Sequence, residues 1–295
     1  MKSILALVFL ITTALPAAAL DVFACEPEWA SLVEELGGDH VRVFRATTAA
    51  QDPHRIQARP SLIAKLRRAD LLVCTGAQLE AAWLPLLLRR AGNPKVLPGR
   101  TGHFEAAAHV QMREVPAAVD RSQGDVHPAG NPHIHTDPRN VMRVARALGE
   151  RLAALDGANG LDYRARTADF ERRWKDAIAA WETRAEPLRG TRVVTQHQSW
   201  AYLVGWLGLE EVATLEPKPG LPPSGAHLAA VVGALRERPA AMVLRAAYQD
   251  PQPSLWLAER VAIEPVVLPY TVGGEAPDLF DLFERTIERL MQAAP

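Results

Sequence analysis

The chain has 295 residues, which is long for one ordinary domain and suits one large or two medium domains. Its apolar fraction of 48% and charged fraction of 23% are typical of a globular protein and exclude wholesale disorder. Lysine plus arginine (33) nearly balance aspartate plus glutamate (34), so the net charge of −1 excludes the basic excess of a chain that mainly holds nucleic acid.

The first element is a predicted export signal. Met1 and Lys2 give a basic start, the run 4–15 is apolar, and Ala17-Ala18-Ala19 ends it with small residues, as in a cleaved secretory signal peptide. The run is shorter than the about 20 residues that span a bilayer, although a retained membrane anchor is the alternative interpretation. Asp21 stands where a lipoprotein signal needs an apolar residue. We therefore expect residues 1–19 to be removed and the mature protein to be periplasmic.

Short apolar strands alternate with helical segments along the remaining chain. In the first half, the pattern predicts strands at 21–25, 41–46 and 71–74, and helices at 29–36, from Pro60, at 79–91 and at 138–155. In the second half, it predicts strands at 192–195, 211–216, 241–245 and 265–268, with a last helix at 278–292. Such alternation is typical of parallel sheets covered by helices on both faces. The fold class is therefore α/β, with two Rossmann-like lobes.

A long helix is predicted between the two halves. Residues 162–186 contain no glycine or proline, and their large apolar side chains recur at helical spacing. About 25 helical residues measure roughly 37 Å, enough to run along two stacked lobes, although a surface helix of one larger domain is the alternative. We expect an N-terminal lobe at 20–161, a connecting helix at 162–187 and a C-terminal lobe at 188–295, with a ligand in the cleft between the lobes.

The two cysteines each end a predicted strand of the first half. Cys25 closes the first strand and Cys74 the third. In a sheet of order 2-1-3 these strands are neighbours and the cysteines lie at the same level. A disulfide is therefore expected in an oxidising compartment, with two free thiols as the alternative.

Three of the nine histidines share a position relative to the predicted strands and helices. His54 and His197 each follow a strand, and His133 directly precedes a helix. All three therefore belong to loops at the ligand-binding edges of the sheets, two in the first lobe and one in the second. Neutral imidazole is the usual nitrogen ligand of Zn(II), and three histidines around one open position make a stable zinc site. The sequence predicts that His54, His133 and His197 bind one metal ion.

The other histidines have weaker cases. His135 is two residues from His133, so its ring is expected to support the site indirectly or to have no part in it. His103, His109 and His127 lie in a poorly patterned stretch and are expected at the surface. The chain also contains no H-E-x-x-H, G-x-S-x-G or phosphate-loop motif, so no catalytic activity is expected.

The segments that carry these histidines occur in an order that resembles one known family. They are QDPH (51–54) followed by ARPS (58–61), ADLLVCTGAQLE (69–80), NPHIHTDP (131–138), TQHQSWAY (195–202) and LEPKPGLPPS (215–224). Together they resemble the metal-specific solute-binding proteins of bacterial ABC importers, the zinc and manganese class. The resemblance implies two α/β lobes, one connecting helix and a metal ion buried between the lobes. It also implies that the ion is the transported ligand, delivered to a permease in the inner membrane; we expect a monomer with no nucleic-acid partner.

Two departures from the family pattern affect the expected site. Many members supply an aspartate near the end of the last strand, where this chain has Pro269, Tyr270 and Thr271. The fourth ligand is therefore expected to be a water molecule or another carboxylate, with Glu26 as the candidate. The long histidine-rich loop of some zinc-binding members is also missing. Because all three expected ligands are imidazoles, Zn(II) is favoured over Mn(II), which prefers oxygen donors.

Two other functions fit parts of the pattern. A zinc hydrolase also uses three histidines and a water molecule, but no motif supplies its general base. A siderophore- or corrinoid-binding protein could use the same scaffold, but it would need a wide cleft with aromatic or arginine lining rather than three imidazoles.

Overall fold

The structure is a computed structural model that describes residues 19–117 and 127–294. Most of the expected export signal, residues 1–18, lies outside the described residues, so its removal stays a prediction. Within the described ranges, no helix is both long enough and apolar enough to cross a membrane.

The N-terminal half forms a four-stranded parallel sheet with the order β2-β1-β3-β4. Its strands are β1 (Leu20–Ala24), β2 (Val41–Arg45), β3 (Leu71–Cys74) and β4 (His103–Glu105). Its helices are α1 (Pro27–Gly37), α2 (Pro60–Arg68), α3 (Leu84–Ala91) and α4 (Pro138–Leu155). The predicted order 2-1-3 is therefore confirmed, with one further strand at the edge.

The C-terminal half repeats this arrangement with the order β6-β5-β7-β8, again parallel. Its strands are β5 (Arg192–Thr195), β6 (Glu210–Thr214), β7 (Met242–Ala246) and β8 (Glu264–Leu268). Its helices are α6 (Ala201–Leu207), α7 (Gly225–Glu237), α8 (Gln252–Ala258) and α9 (Leu279–Gln292). The two-lobe α/β fold predicted from the alternation is confirmed.

Most predicted elements have bounds within two residues of those observed, and two differ by more. Strand β4 was not predicted, because its three residues are too few to show alternation. Helix α3 begins at Leu84 instead of residue 79. Ala77 and Gln78 have positive φ, which a helix does not allow, and the Glu80 carboxylate accepts a hydrogen bond from Gly76 N. Residues 76–83 therefore form turns, and the helix begins next to Pro85.

Helix α5 (Gly160–Ala185) has 26 residues and is about 39 Å long. It packs against α1 and α4 of the first lobe and against α9 of the second. Its Trp174 ring lies 5.5 Å from the Phe283 ring of α9, and its Trp174 indole donates a hydrogen bond to the carbonyl of Pro138 at 2.8 Å. One continuous hydrophobic core includes residues of both lobes and of α5. The long helix therefore joins the two lobes through buried aromatic contacts.

The two cysteines are joined. Strands β1 and β3 are paired in parallel. Cys25 directly follows β1, Cys74 is the last residue of β3, and their disulfide has 4.8 Å between its Cα atoms. The disulfide expected from the strand order is confirmed, and it lies within the N-terminal lobe.

Candidate metal centre

The three candidate histidines lie on loops at the edges where the strands end. His54 lies between β2 and α2, His133 lies before α4, and one residue separates His197 from the end of β5. Helix α4 begins where it does because the Asp137 side chain accepts a hydrogen bond from Arg139 N and Pro138 fits the first turn. The loop that carries His133 is therefore held at the start of a capped helix.

The structure brings the three imidazole rings together. Ring centroids are 5.3 Å apart for His54 and His133, 5.8 Å for His54 and His197, and 5.4 Å for His133 and His197. One nitrogen of each ring lies within 4.8 Å of the others. The three residues are between 2% and 8% exposed. Residues more than 140 positions apart in the chain thus form one buried cluster that contains side chains of both lobes.

Each of the three rings has a hydrogen-bond partner at Nδ1. The partner of His54 is the Asp52 carboxylate at 2.8 Å, and the partner of His197 is the Glu216 carboxylate at 2.7 Å. A carboxylate can only accept, so both rings carry their proton on Nδ1 and present Nε2 as a free ligand atom. The His133 Nδ1 lies 2.6 Å from the Tyr270 hydroxyl. All three rings are therefore oriented by groups that do not themselves belong to the cluster.

The two carboxylates also order the loops around the site. The Asp52 carboxylate accepts a second hydrogen bond from the His54 backbone N–H at 3.0 Å. The Glu216 carboxylate accepts one from Gly220 N at 2.7 Å. Each carboxylate thus fixes both an imidazole ring and the backbone beside it, which holds the ligand atoms in place before an ion arrives.

The pKa shifts of the groups in and beside the cluster favour the binding of a cation. Burial, and then the neighbouring imidazoles, lower the pKa of His133 well below its usual value, so its ring stays neutral near neutral pH. Burial alone raises the pKa of the Asp52 carboxyl, but hydrogen bonds from His54 outweigh it and leave that pKa below its usual value. The site therefore combines a neutral imidazole with an ionised carboxylate, the states that metal binding requires.

A cavity of about 290 Å³ opens beside the cluster. His54 and His197 line it together with three acidic residues, Asp52, Glu216 and Asp250. Acidic walls around an opening raise the local concentration of cations. The cavity is therefore a suitable path for a divalent ion between solvent and the imidazoles.

Three other histidines make contacts outside the imidazole cluster. His135 is buried, with Nε2 2.9 Å from the Tyr270 carbonyl oxygen and Nδ1 3.2 Å from the Glu28 carboxylate, so it supports the site indirectly. His103 hydrogen-bonds to the Val96 carbonyl, and His109 stacks on Phe104, away from the cluster.

His127 differs from the surface position expected for it. Its side chain is half-buried, and its ring centroid lies 5.4 Å from that of His54. The short pattern around it gave no indication of this place, because residues 99–130 show no clear periodicity.

Glu26 is not a ligand candidate in this structure. Its carboxylate accepts hydrogen bonds from the Thr75 N–H and hydroxyl, both at 3.1 Å, inside the N-terminal lobe. Burial, and then the Glu80 and Glu28 carboxylates, raise its pKa well above the usual value. Glu26 therefore gains no support as the fourth ligand, because Thr75, the residue after β3, holds one of its carboxylate oxygens and Glu26 is not part of the imidazole cluster. Among the residues that the structure describes, the imidazole cluster includes no carboxylate.

Three residues that orient the ligands were missed in the sequence. Asp52 had a local signal, since it lies two residues before His54. Glu216 and Tyr270 lie in segments that the sequence analysis quoted, but nothing there indicated these partners. They are 19 and 137 positions from their histidines; Glu216 meets His197 through the folding of the C-terminal lobe, and Tyr270 meets His133 through the packing of the two lobes.

Comparison with known proteins identifies relatives of the whole fold. A zinc-binding lipoprotein, AdcA of Streptococcus pneumoniae (strain R6), is 23% identical over 207 residues, which cover 66% of this chain and 39% of AdcA. The chain thus aligns with about two fifths of the length of AdcA. The high-affinity zinc uptake system protein ZnuA of Paracoccus denitrificans is 27% identical over 268 residues, covering 82% of this chain and 81% of that protein.

Structural comparison agrees with these matches. A crystal structure of ZnuA superposes with a TM-score of 0.78 at 23% sequence identity, covering 94% of this chain and 100% of the other, and so has the same fold. The resemblance to metal-specific solute-binding proteins is confirmed by the sequence model of one family, which matches residues 22–293. The chain belongs to the family of the periplasmic component A of zinc-uptake complexes.

Proposed function

We propose that the protein is a high-affinity zinc receptor of the periplasm that delivers its ion to an ABC-type permease in the inner membrane. The observation that carries this proposal is the convergence of His54, His133 and His197 from two lobes, each ring anchored at Nδ1. Two relatives, a zinc-binding lipoprotein and a high-affinity zinc uptake system protein, support the same cargo.

The ligand set is three imidazole nitrogens, with a water molecule in the fourth position. Nitrogens bound to tetrahedral zinc at about 2.0–2.1 Å lie roughly 3.4 Å from one another. The present upper limit of 4.8 Å between the ring nitrogens therefore requires only a small contraction when the ion binds. Because the ligands come from both lobes, the bound ion links them and stabilises their closed arrangement.

The donor chemistry favours zinc over manganese. Imidazole suits the borderline-soft Zn(II), whereas Mn(II) prefers carboxylate, carbonyl and water oxygens. The acids nearest the cluster, Asp52 and Glu216, are hydrogen-bonded to imidazoles. Both carboxylates therefore act as supports for nitrogen ligands instead of supplying oxygen ligands.

The protein acts in binding and not in catalysis under this proposal. A hydrolase would need a free general base beside the metal-bound water, and the two nearest acids are already committed to His54 and His197. One chain supplies all three ligands, so a monomer suffices. Removal of residues 1–19 leaves the two lobes intact.

The test is zinc binding by the metal-free protein and by four alanine variants. We expect one zinc ion per chain, and a chelator-reversible gain of about 4 kcal/mol in the free energy of unfolding when free zinc is about 1,000 times the dissociation constant. His54→Ala, His133→Ala and His197→Ala should each weaken binding steeply. His103→Ala is the matched control and should bind like the wild type. An unchanged melting temperature with zinc, or equal losses in all four variants, would refute the proposal.

A further inference from the structure

The partner of His133 differs in chemistry from the partners of the other two rings. Asp52 and Glu216 can only accept a hydrogen bond, so they hold His54 and His197 with the proton on Nδ1 in the ion-free protein. The Tyr270 hydroxyl, in contrast, can either donate or accept. The proton position of His133 therefore depends on which of the two groups is the donor.

The geometry indicates that Tyr270 is the donor. The separation between the Tyr270 hydroxyl oxygen and His133 Nδ1 is 2.6 Å. That separation is a short hydrogen bond, at the lower end of what an N–H donor to oxygen usually gives (about 2.7–3.2 Å), and it is compatible with an O–H donor. A phenol is also a stronger acid than a neutral imidazole, and an imidazole nitrogen is a better base than a phenol oxygen.

We propose that Tyr270 is a positioning residue that holds His133 in its Nε2–H tautomer until an ion binds. This inference rests on the proposed function, because Nε2 of His133 is the atom expected to bind zinc. In the ion-free protein the Tyr270 O–H donates to Nδ1, and Nε2 carries the proton. When zinc binds at Nε2, solvent water takes the Nε2 proton and supplies one to Nδ1, while the phenol keeps its own proton, turns it away from the ring and accepts from Nδ1–H. The imidazole stays neutral throughout, so no net proton is released.

The surroundings of Tyr270 fix its hydroxyl in place. The residue is 4% exposed, and its ring packs edge-on against those of His135, Trp200 and Tyr248 at 4.8–6.0 Å. Its backbone carbonyl accepts from His135 Nε2 at 2.9 Å. The next residue, Thr271, donates to the Glu28 carboxylate of the N-terminal lobe. The C-terminal lobe therefore presents the phenol to His133 from a rigid, buried segment.

This arrangement makes the three ligands unequal. His54 and His197 present a free Nε2 before the ion arrives, whereas His133 presents it only after its tautomer reverses. We expect the ion to be held first by His54 and His197 and last by His133, with the opposite order on release. The contact between Tyr270 and His133 joins the two lobes, so the last step of binding also tightens their association.

The test is nitrogen NMR of the histidine rings in metal-free and zinc-loaded wild-type protein, with His133→Gln used to assign the His133 signals. Long-range proton–nitrogen correlations distinguish a protonated from an unprotonated ring nitrogen. We expect His133 to be protonated at Nε2 without zinc and at Nδ1 with zinc, whereas His54 and His197 are protonated at Nδ1 in both states. A metal-free wild type with His133 already protonated at Nδ1 would overturn the inference.

A matched pair of variants separates positioning from general loss of a buried phenol. Tyr270→Phe keeps the ring and removes only the donor, so the Nε2–H population of metal-free His133 should fall toward the tautomer mixture of a free neutral imidazole. Tyr202→Phe is the control, because the Tyr202 hydroxyl donates to the Asn131 carbonyl of the same loop at 2.8 Å without reaching the His133 ring. It should leave the tautomer unchanged. An unchanged tautomer in Tyr270→Phe would contradict the inference, while absence of zinc binding in the wild type would instead refute the proposed function.

Discussion

Arg55 and Gly220 connect the two lobes across the opening of the imidazole site. The Arg55 guanidinium Nη2 donates to the Gly220 carbonyl oxygen at 3.0 Å. Arg55 directly follows His54, and Gly220 N is held by the Glu216 carboxylate that orients His197. One exposed hydrogen bond thus joins the loops that carry a candidate ligand from each lobe.

Replacement of Arg55 should accelerate zinc release. Arg55→Ala removes this exposed bond and a 3.9 Å ion pair with the Asp52 carboxylate, together worth about 0.5–1 kcal/mol, so we expect zinc to dissociate roughly two- to fivefold faster. Stopped-flow transfer of zinc to an excess of chelator measures the rate. Arg59→Ala, at an arginine exposed on the same segment, is the control and should not change it. A rate equal to that of the wild type in Arg55→Ala would show that the bond does not hold the closed arrangement.

The carboxylates that orient the imidazoles should matter nearly as much as the ligands. In Asp52→Asn and Glu216→Gln an amide replaces the obligatory acceptor, which permits the wrong tautomer of His54 or His197. We expect about a 10- to 100-fold loss of zinc affinity in each variant. Competition with a chromogenic chelator measures it.

Asp250→Asn is the control for this pair, since Asp250 lines the same cavity. It should weaken binding far less, because its carboxylate accepts from Gln252 N and not from an imidazole. Comparable losses in all three variants would mean that local negative charge, and not ring orientation, determines the affinity.

The buried acids of the N-terminal lobe should make stability depend on pH. Burial raises the pKa of Glu80 to about 7 and raises that of Glu26 well above its usual value. The folded state therefore keeps protons that the unfolded state loses. The stability that these protonated carboxyls contribute is fully present below about pH 4.5 and is lost as the pH rises toward 7. Glu80→Gln should reduce this loss by on the order of 2 kcal/mol between pH 5 and pH 8.

Urea unfolding of the metal-free protein at the two pH values measures this effect. Glu186→Gln, at an exposed position, is the control and should keep the dependence of the wild type. If Glu80→Gln also keeps it, the Glu80 carboxyl does not hold a proton in the folded state.

The disulfide should stabilise the fold without determining metal affinity. Cys25 and Cys74 are 49 positions apart. Closing a loop of this size lowers the conformational entropy of the unfolded chain, which raises the free energy of unfolding by about 4 kcal/mol. The double variant Cys25→Ala/Cys74→Ala should lose up to this amount in urea unfolding while keeping zinc affinity within a few fold. Mass spectrometry with and without a reductant verifies the bond in the wild type. A steep loss of affinity in the folded double variant would place the disulfide among the determinants of the site.

The sequence predicted the elements whose signals are local. Pro60 and Asp137 mark the starts of α2 and α4 as expected, and the strands β3 and β5 have the predicted bounds. Helix α5 occupies Gly160–Ala185, close to the predicted 162–187. Local patterns sufficed because each of these elements depends on its own capping and apolar spacing.

The long-range contacts of the site could not be read in this way. The three histidines were singled out by their shared place in the loops, which the α/β alternation makes visible. Tyr270 as partner of His133 depends on how the two lobes pack, and no spacing in the chain records it. The position of the Glu26 carboxylate could not be predicted for the same reason, because it depends on contacts with Thr75 and Glu80 inside the lobe.

The aromatic core that α5 shares with both lobes has a consequence for how cargo is exchanged. Phe170 and Trp174 contact Phe280, and Trp181 stacks on Phe283, so a wide hinge motion would draw several rings out of close packing into water. The free-energy cost of exposing these rings is far larger than the contribution of the exposed hydrogen bond between Arg55 and Gly220. Loading and unloading should therefore proceed mainly through local movement of the loops around the site, with only a small displacement of one lobe relative to the other.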